Sequence, residues 1–360
     1  MFTPPPGRVA PRIFDAIPAM RASVPWRPLC HLPTAVEPCD AIADVLGGAR
    51  VWAKRDDLVS PVYGGNKVRR FEFVFADLEA RGARRIVTTG GVASTQVTAT
   101  ARFGEALGLP VRAVLFDQPI TRFAREAVLT NLAAGAELIH GGGYLPSAWR
   151  TWRALRDDPS ARLLLPGASH PLANLGYLDA MLELDAQVRA GEMPRPDVIV
   201  VPTGSSGTLA ALSLGAAWLG WDTEVIGVRI TALAACNRLT VSLVAAATRR
   251  FVARFDPAFA RLRPRFSLFH GAIGPGYGAP SPEAIAGVAL MQRLTGHPGE
   301  VTYSGKAIAA LRALAAMPRH RDKTFLFWHT LSSVRPPIPS GTEALVPPAL
   351  RHVFEGPVPV

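Results

Sequence analysis

The stretch VWAKRDDLVSPVYGGNKVRR, residues 51–70, decides how the rest of the chain is interpreted. Within it, Gly64, Gly65, Asn66 and Lys67 stand directly before an amphipathic pattern that predicts a helix over residues 68–79. Paired glycines let the backbone approach a ligand closely, and a lysine at a helix start holds its amine in one place. Such an amine suits a Schiff base with an aldehyde cofactor. Taken alone, the four residues fit an ordinary surface lysine better, because the pattern is short.

The composition indicates a globular protein. The chain has 360 residues, enough for two domains or one large one, and 49% of them are hydrophobic. No apolar run reaches the roughly 18 residues of a membrane span, and no leader pattern is present, so we expect a cytoplasmic protein without membrane attachment. Residues 1–31 are rich in proline and predict a disordered start followed by an irregular surface segment.

Cysteine, histidine and arginine spacings bear on ligands and partners. Cys30, Cys39 and Cys236 lack the spacing of a disulfide framework, which indicates reduced thiols. The histidines, His140 among them, show no metal-site spacing, so the sequence predicts no metal. The net charge of +11 raises nucleic acid as a partner, but no zinc-finger spacing or basic amphipathic run accompanies the scattered arginines. We therefore expect no specific nucleic acid partner.

Strand and helix patterns alternate along most of the chain. Strands are predicted over residues 50–54, 85–89, 111–116, 137–140, 162–165, 197–201, 224–230 and 324–328, and helices over residues 97–107, 121–134, 144–162, 209–219 and 238–250. This alternation specifies parallel sheets covered on both faces, with ligands beyond the carboxyl ends of the strands. The sequence predicts an α/β protein with two parallel-sheet domains. The large domain takes residues 1–72 and 180–360, and the small domain takes residues 73–179.

Two glycine-containing loops lie between a strand and a helix. PTGSSGT, residues 202–208, follows one buried strand, and GVASTQ, residues 91–96, follows another. Backbone amides and hydroxyls at a helix start form an anion site that suits a phosphate or a carboxylate. A capping loop of any α/β protein would show the same pattern, so the residues alone leave both interpretations open.

An ordered series of segments resembles the fold type II pyridoxal phosphate (PLP) enzymes that include D-cysteine desulfhydrases and 1-aminocyclopropane-1-carboxylate deaminases. AKRDDLVSPVYGGNK resembles the family pattern K-R-E-D…G-G-N-K-x-R-K, and the likeness continues in LPTAVEP, PGASHPLANLGYLDA, GSSGT and YSGK. It extends from about residue 32 to residue 330. The resemblance implies the tryptophan synthase β-like architecture, PLP as the cofactor, a small amino acid as the substrate and a homodimer.

The resemblance also implies a role for each matching residue. Lys67 holds the cofactor and then acts as the base at the substrate Cα. The other cofactor contacts are Asn66 and Thr95 at the phenolic oxygen, Gly204, Ser205, Ser206, Gly207 and Thr208 at the phosphate, Ser304 at the pyridine nitrogen and Thr330 near the ring. The substrate carboxylate is received by Ser94, Thr95 and Gln96. Tyr277 and Tyr303 lie on the β-carbon side, so the catalytic residues are Lys67, Ser94, Tyr277 and Tyr303.

The chain departs from the family pattern at three places. Thr95 replaces an asparagine, and its hydroxyl can donate only one hydrogen bond to the cofactor oxygen. Residues 331–333 replace two glycines, which we expect to narrow or reshape the ring end of the cofactor site. Ser304 stands where deaminases resemble Y-E-G-K and desulfhydrase-like members resemble Y-T-G-K, so its neutral hydroxyl favours the latter.

These residues together predict a PLP-dependent lyase that performs α,β-elimination on a small amino acid, of the D-cysteine desulfhydrase type. Ring opening of an aminocyclopropane carboxylate is the first alternative, disfavoured because no carboxylate follows Tyr303. A divergent β- or γ-replacement enzyme of a specialised pathway is the second. A vestigial PLP-binding protein without turnover is the alternative from outside the enzymes.

Overall fold

The computed structural model describes residues 10–297 and 299–358. The first nine residues, part of the predicted disordered start, lie outside the described residues. The prediction of an irregular surface segment after them is wrong, because Arg12–Ala16 forms a short helix that buries Ile13 and Phe14. The Ile13 amide donates to the Asp179 carboxylate at 2.9 Å. The helix forms despite the neighbouring prolines because its apolar side chains complete a hydrophobic cluster.

Ten strands and ten α-helices are present within the described residues. The strands are β1 (Val36–Pro38), β2 (Arg50–Lys54), β3 (Arg85–Gly91), β4 (Val111–Phe116), β5 (Glu137–Gly142), β6 (Ala161–Leu164), β7 (Val198–Thr203), β8 (Glu224–Arg229), β9 (Phe266–Phe269) and β10 (Thr324–Trp328). The helices are α1 (Arg12–Ala16), α2 (Val68–Ala80), α3 (Thr95–Leu107), α4 (Arg122–Ala133), α5 (Tyr144–Arg156), α6 (Pro171–Arg189), α7 (Gly207–Trp218), α8 (Arg238–Val252), α9 (Pro282–Thr295) and α10 (Ser304–Ala315).

The strands form two sheets. The larger sheet has the order β1-β2-β10-β7-β8-β9, and only β1 runs antiparallel to its neighbour. Its central strands β10 and β7 are buried along their whole length, as expected for parallel strands covered on both faces. The smaller sheet has the order β5-β4-β3-β6 and is entirely parallel. The predicted α/β class with parallel sheets is confirmed.

Most predicted elements are present with bounds shifted by a few residues. β2, β4 and β10 have the predicted bounds, and helix α2 ends one residue later than predicted. The main addition is β9 (Phe266–Phe269), where the sequence predicts no strand. All four residues of β9 are only partly buried at the edge of the sheet, so the strand has no strong apolar alternation.

The predicted domain bounds stay a prediction, although the smaller sheet draws all its strands from the range assigned to the small domain. The C-terminal segment adds a contact that the sequence did not indicate. Val346, Leu350 and Val353 are buried in the hydrophobic cluster beside the smaller sheet. Of the helices described, none combines the length and apolar character needed to cross a bilayer.

Candidate active site

The lysine loop, residues 64–67, is fixed between two backbone segments. Its amides donate to both sides, from Gly64 to Ser332 Oγ at 2.8 Å, from Gly65 to the Asp56 carbonyl at 2.8 Å and from Asn66 to the Thr330 carbonyl at 3.1 Å. A Cβ on Gly64 would overlap the carbonyl oxygen of Asp57, and Gly65 has a φ of 89°. Only glycine meets both requirements without strain. The start of α2, and with it the lysine, is therefore held in place.

A buried charge network supports the lysine loop. Arg69 donates to both carboxylate oxygens of Asp56 and to Glu183, and Lys54 donates to Glu183 at 2.6 Å. Although burial opposes ionisation, the charges of Arg69 and Lys54 hold the pKa of Glu183 well below its usual range. Removing one partner of such a network costs about 3–5 kcal/mol, because a buried charge is left unpaired. The network therefore fixes the backbone from which Lys67 projects.

Lys67 lies in the wall of a cavity, with its amine neutral for much of the time near pH 7. Its Nζ donates to Asn66 Oδ1 at 2.7 Å, and Asn66 Nδ2 donates to Thr208 Oγ1 at 3.1 Å. Burial, and then the positive charge of Arg70, lower the pKa of the amine to about 7. Asn66 thus joins the lysine to the second glycine-containing loop, and the amine is available as a nucleophile or a base.

The α7 loop, residues 203–208, leads from β7 into α7. Ser206 precedes the helix with a φ of 67°, and its side chain does not cap the helix. This positive φ is a backbone conformation that side chains disfavour. Because the cap is missing, amides of the first turn have no side-chain acceptor among the described residues, and Gly207 and Thr208 of this turn line the cavity. The loop therefore offers a site for an anion.

Arg70 places a positive charge behind the α7 loop. Its guanidinium donates to Thr208 Oγ1 at 3.0 Å and to the Gly167 carbonyl at 2.7 Å. A Cβ on Gly207 would lie 2.6 Å from Arg70 Nη2, so the loop needs glycine there. Burial lowers the pKa of Arg70 to about 10, which leaves it a cation at neutral pH. Among the described residues no carboxylate pairs with Arg70, and its Nε has no partner.

The role of Arg70 at the α7 loop was not predicted from the sequence, in which it is one of many scattered arginines. A signal was present, because the family pattern G-G-N-K-x-R-K ends in a basic residue at this position. The charge is buried and uncompensated by protein, an arrangement that is costly unless an anion binds nearby.

The α3 loop, residues 90–96, leads from β3 into α3, and its polar side chains hydrogen-bond to neighbouring protein groups. Ser94 Oγ accepts from the Val97 amide at 3.4 Å and caps the helix. The Gln96 amide group donates to Thr88 and Thr100 and accepts from the Gly167 amide. Both residues line the cavity, yet the side chain of Gln96 is fully engaged by protein partners. Its role at a substrate carboxylate stays a prediction.

The hydroxyl groups of Tyr277, Tyr303 and Thr95 lie close together, and the two tyrosines line the cavity. Tyr277 Oη and Tyr303 Oη are 2.7 Å apart, and the Thr95 side chain is within hydrogen-bonding reach of Tyr303. Burial is the main reason that the pKa of Tyr303 rises to about 12 and that of Tyr277 rises well above its usual value. Both phenols therefore stay protonated at neutral pH and can donate hydrogen bonds.

These groups surround a cavity of about 690 Å³, a size typical of ligand sites. The structure brings together there most of the residues predicted from sequence, namely Asn66, Lys67, Ser94, Gln96, Gly204, Ser205, Ser206, Gly207, Thr208, Tyr277 and Tyr303. It adds Gly167, from the PGASHPLANLGYLDA segment but without an assigned role, and residues outside the quoted segments, namely Thr89, Phe116, Tyr144, Thr231, Ala232 and Ala235. Because these residues come from separate strands, helices and loops, only the tertiary structure could assign them to the cavity.

Three predicted cofactor contacts, Thr95, Ser304 and Thr330, are not among the described residues that line the cavity. The Ser304 hydroxyl donates to the Glu300 carbonyl at 3.1 Å and accepts from the Glu300 amide at 2.8 Å. Thr330 contributes its carbonyl to the lysine loop. Their roles at the pyridine ring stay predictions.

The residues that replace the family glycines lie outside the described lining of this cavity. Leu331, Ser332 and Ser333 are buried, but none is among the described residues that line it. The Ser332 hydroxyl accepts a hydrogen bond from the Gly64 amide and so contacts the lysine loop. The expected narrowing or reshaping of the ring end of the cofactor site stays a prediction.

The profile of the pyridoxal-phosphate dependent enzyme family matches residues 28–330. This chain belongs to that family. It is 31% identical over 307 residues to the D-cysteine desulfhydrases of Yersinia pestis (strain Pestoides F) and Yersinia pseudotuberculosis (serotype O:1b, strain IP 31758), with 82% of this chain and 90% of each relative covered. The predicted family, the assignment as an enzyme and the cofactor PLP are confirmed.

Solved structures show the same fold. An ACC deaminase homologue superposes with a TM-score of 0.74 at 24% identity, covering 91% of this chain and 96% of that chain. The processed form of threonine deaminase isoform 2 from Solanum lycopersicum superposes with a TM-score of 0.59 at 15% identity, covering 98% and 90%. At these identities the likeness concerns the fold.

The residues of this PLP-dependent enzyme fit its cofactor. Lys67 offers an amine without a carboxylate partner, beside Asn66. The uncapped start of α7 and the unpaired charge of Arg70 together suit a phosphate dianion. Lys67 and the α7 loop line the same cavity, and Arg70 contacts Thr208 of that loop.

Proposed function

We propose that this enzyme catalyses α,β-elimination on a small amino acid that carries a leaving group on Cβ, with D-cysteine as the leading candidate. The observation that carries the proposal is the Lys67 amine, which lies between the α7 loop and the two phenols at a pKa of about 7. The D-cysteine desulfhydrases to which the chain is 31% identical support the choice of substrate.

The cofactor would be held by Lys67, Asn66 and the α7 loop. PLP, when bound, withdraws electrons from the substrate Cα so that its proton becomes acidic. A neutral Lys67 amine accepts that proton, since burial keeps its pKa close to neutral. The α3 loop lies across the cavity and can orient the substrate carboxylate through its helix-start amides and Ser94.

The phenol pair supports departure of the leaving group. Tyr277 and Tyr303 share one hydrogen bond, so one of the two protons remains for a group in the cavity. A thiolate leaving from Cβ would accept that proton. Loss of the Cα proton and the Cβ–S bond gives an enamine, which hydrolyses to ammonia and a 2-oxo acid after release.

We also propose a homodimer in the cytoplasm, with the large and small domains bounded as the sequence predicts. The family resemblance supports the dimer. The three cysteines, all buried and free, support a reducing compartment.

The experiment compares D-cysteine, D-serine and 1-aminocyclopropane-1-carboxylate as substrates, with hydrogen sulfide, ammonia and 2-oxo acid as readouts. We expect sulfide and 2-oxo acid in equal amounts from D-cysteine. Ring opening as the faster reaction would favour a deaminase, and a cofactor-loaded protein inert to all three would favour a vestigial binder.

Replacement of Lys67 tests the observation on which the proposal rests. Lys67→Ala should remove the visible absorption band of the bound cofactor and lower elimination by at least about 10²–10⁴-fold, the usual contribution of a positioned base. Lys306→Ala is the matched control, because Lys306 is another lysine with a lowered pKa but donates to the Gly276 carbonyl. An unchanged spectrum in the Lys67 variant would refute the assignment.

A further inference from the structure

Three metal-ligating side chains converge on the surface of the smaller sheet, outside the cavity. Asp117 directly follows β4, His140 lies in the neighbouring strand β5, and His352 lies in the 3-10 helix Pro348–Phe354. Asp117 Oδ1 is 2.7 Å from His140 Nε2 and 3.8 Å from His352 Nε2. One ligand atom from each residue lies within 4.8 Å of the other two.

The spacing fits a tetrahedral cation. Metal–ligand distances of about 2.0–2.2 Å for Zn²⁺ with nitrogen and oxygen ligands place the donor atoms about 3.3 Å apart. The distances from Asp117 Oδ1 to His140 Nε2, 2.7 Å, and to His352 Nε2, 3.8 Å, lie on either side of that value. Small side-chain rotations would therefore bring all three donors into a coordination shell.

The contact of the other ring nitrogen of His352 also favours metal binding. Its Nδ1 is 3.0 Å from the Ala349 carbonyl, which can only accept, so Nδ1 carries the proton. Nε2 then presents its lone pair towards Asp117 and His140. Metal-binding histidines commonly show this arrangement, in which a backbone carbonyl fixes the ring and its tautomer.

The charge environment distinguishes Asp117 from most acidic residues of this chain. Basic side chains outnumber acidic ones, 39 to 28. Nevertheless, within residues 10–297 and 299–358 only two histidines come within ion-pair distance of the Asp117 carboxylate, and no arginine or lysine does. An exposed carboxylate that two imidazoles face is suited to a cation.

We propose that Asp117, His140 and His352 bind a divalent cation of the Zn²⁺ class, which fastens the C-terminal segment to the smaller sheet. Two imidazoles and one carboxylate suit Zn²⁺, Co²⁺ or Ni²⁺ and disfavour Mg²⁺ and Ca²⁺, which prefer oxygen ligands. The side chains are 25–54% exposed, so water can complete the shell. The sequence predicted no metal because the ligands are 23 and 212 residues apart.

The fastening role follows from where the ligands lie. Val353, the neighbour of His352, is buried against the smaller sheet, and its carbonyl accepts from Arg125 at 2.9 Å. A metal shared by His352, Asp117 and the strand residue His140 adds a further attachment of this segment. Opening of the segment then requires loss of the cation.

The test is calorimetric titration of the untagged holoenzyme with Zn²⁺ and, in parallel, with Mg²⁺. We expect one Zn²⁺ per chain and no Mg²⁺. His352→Gln and Asp117→Asn should each weaken Zn²⁺ binding at least about tenfold, since even changes beyond the ligands cost that much. His297→Gln, at an exposed histidine elsewhere, is the matched control and should bind as the natural protein does.

A second measurement follows the segment itself. Trypsin cleavage after Arg351, an exposed residue, should slow about tenfold at a Zn²⁺ concentration ten times Kd in the natural protein, and should not change in Asp117→Asn. Equal Zn²⁺ affinity in the natural protein and both ligand variants would overturn the proposal, as would absence of Zn²⁺ binding. The Asp117 variant keeps the test decisive if His352→Gln does not fold.

Discussion

The α7 loop and the α3 loop are built alike but offer different environments to an anion. Each connects a buried parallel strand to a helix that starts at the cavity. At α3, the hydroxyl of Ser94 caps the helix, and uncharged phenols face it. At α7, no side chain caps the helix, and the buried charge of Arg70 lies behind it.

The difference shows that a glycine-containing loop at a helix start does not by itself define what binds. A phosphate dianion needs free amides and a compensating charge, which the start of α7 and Arg70 of α2 supply together. A substrate carboxylate carries a single charge and must leave after turnover, so a weaker, capped site suits it. Substitutions of Arg70 and Ser94 test this division.

Removing the charge behind α7 should weaken cofactor binding. Arg70→Met deletes a charged hydrogen bond to Thr208, worth about 1.5–3 kcal/mol, so PLP affinity should fall by about 10–100-fold. Absorbance titration of the apoprotein measures this affinity. Arg102→Met, which removes a partly exposed arginine of α3 paired with Glu105, is the control. Equal affinities in the two variants would mean that Arg70 has no part in phosphate binding.

The pH dependence of cofactor uptake should report the coupling between Arg70 and Lys67. Only the neutral amine reacts, so the uptake rate should rise with pH, reach half its maximum near pH 7 and be about tenfold below the plateau at pH 6. In Arg70→Met the midpoint should move to higher pH, because one cause of the lowered pKa is gone. PLP itself ionises identically in both experiments, so the difference between the two midpoints reports on the protein alone. Identical midpoints would contradict the coupling.

The same pKa shift has a consequence for stability. The unfolded chain binds a proton on Lys67 up to its ordinary pKa of 10.5, whereas the folded apoprotein releases it near 7. The unfolded state therefore binds more protons between these values. The contribution of Lys67 to apoprotein stability should accordingly become more favourable as the pH rises from 7 towards 10.5.

Removing the cap of α3 should affect the substrate and not the cofactor. Ser94→Ala should lower the free energy of unfolding by about 0.5–2 kcal/mol, through loss of the cap. It should also raise KM for the amino acid by about fivefold, the worth of one hydrogen bond, while PLP affinity stays within twofold. Chemical denaturation and steady-state kinetics provide both values. Ser206→Ala, which removes no helix cap, should leave stability closer to that of the natural protein.

A large part of the fold could be predicted because strands such as β4 and β10 are mainly apolar runs, interrupted in β4 by Arg112. The lysine loop and the α7 loop could be located because each needs glycine at a fixed place. β9 and cavity residues such as Thr89, Phe116 and Tyr144 could not be predicted, since a partly buried strand and single residues carry no periodic signal.

The family and the parallel sheets follow from the sequence, which also predicts the reactive lysine, because these depend on local periodicity and on short motifs. The contacts of Arg70 with the α7 loop, of Ser304 with Glu300 and of His352 with Asp117 and His140 became evident only in the folded chain. These facts depend on distances between segments far apart in the chain. Such distances are set by packing of the whole fold, which no local pattern encodes.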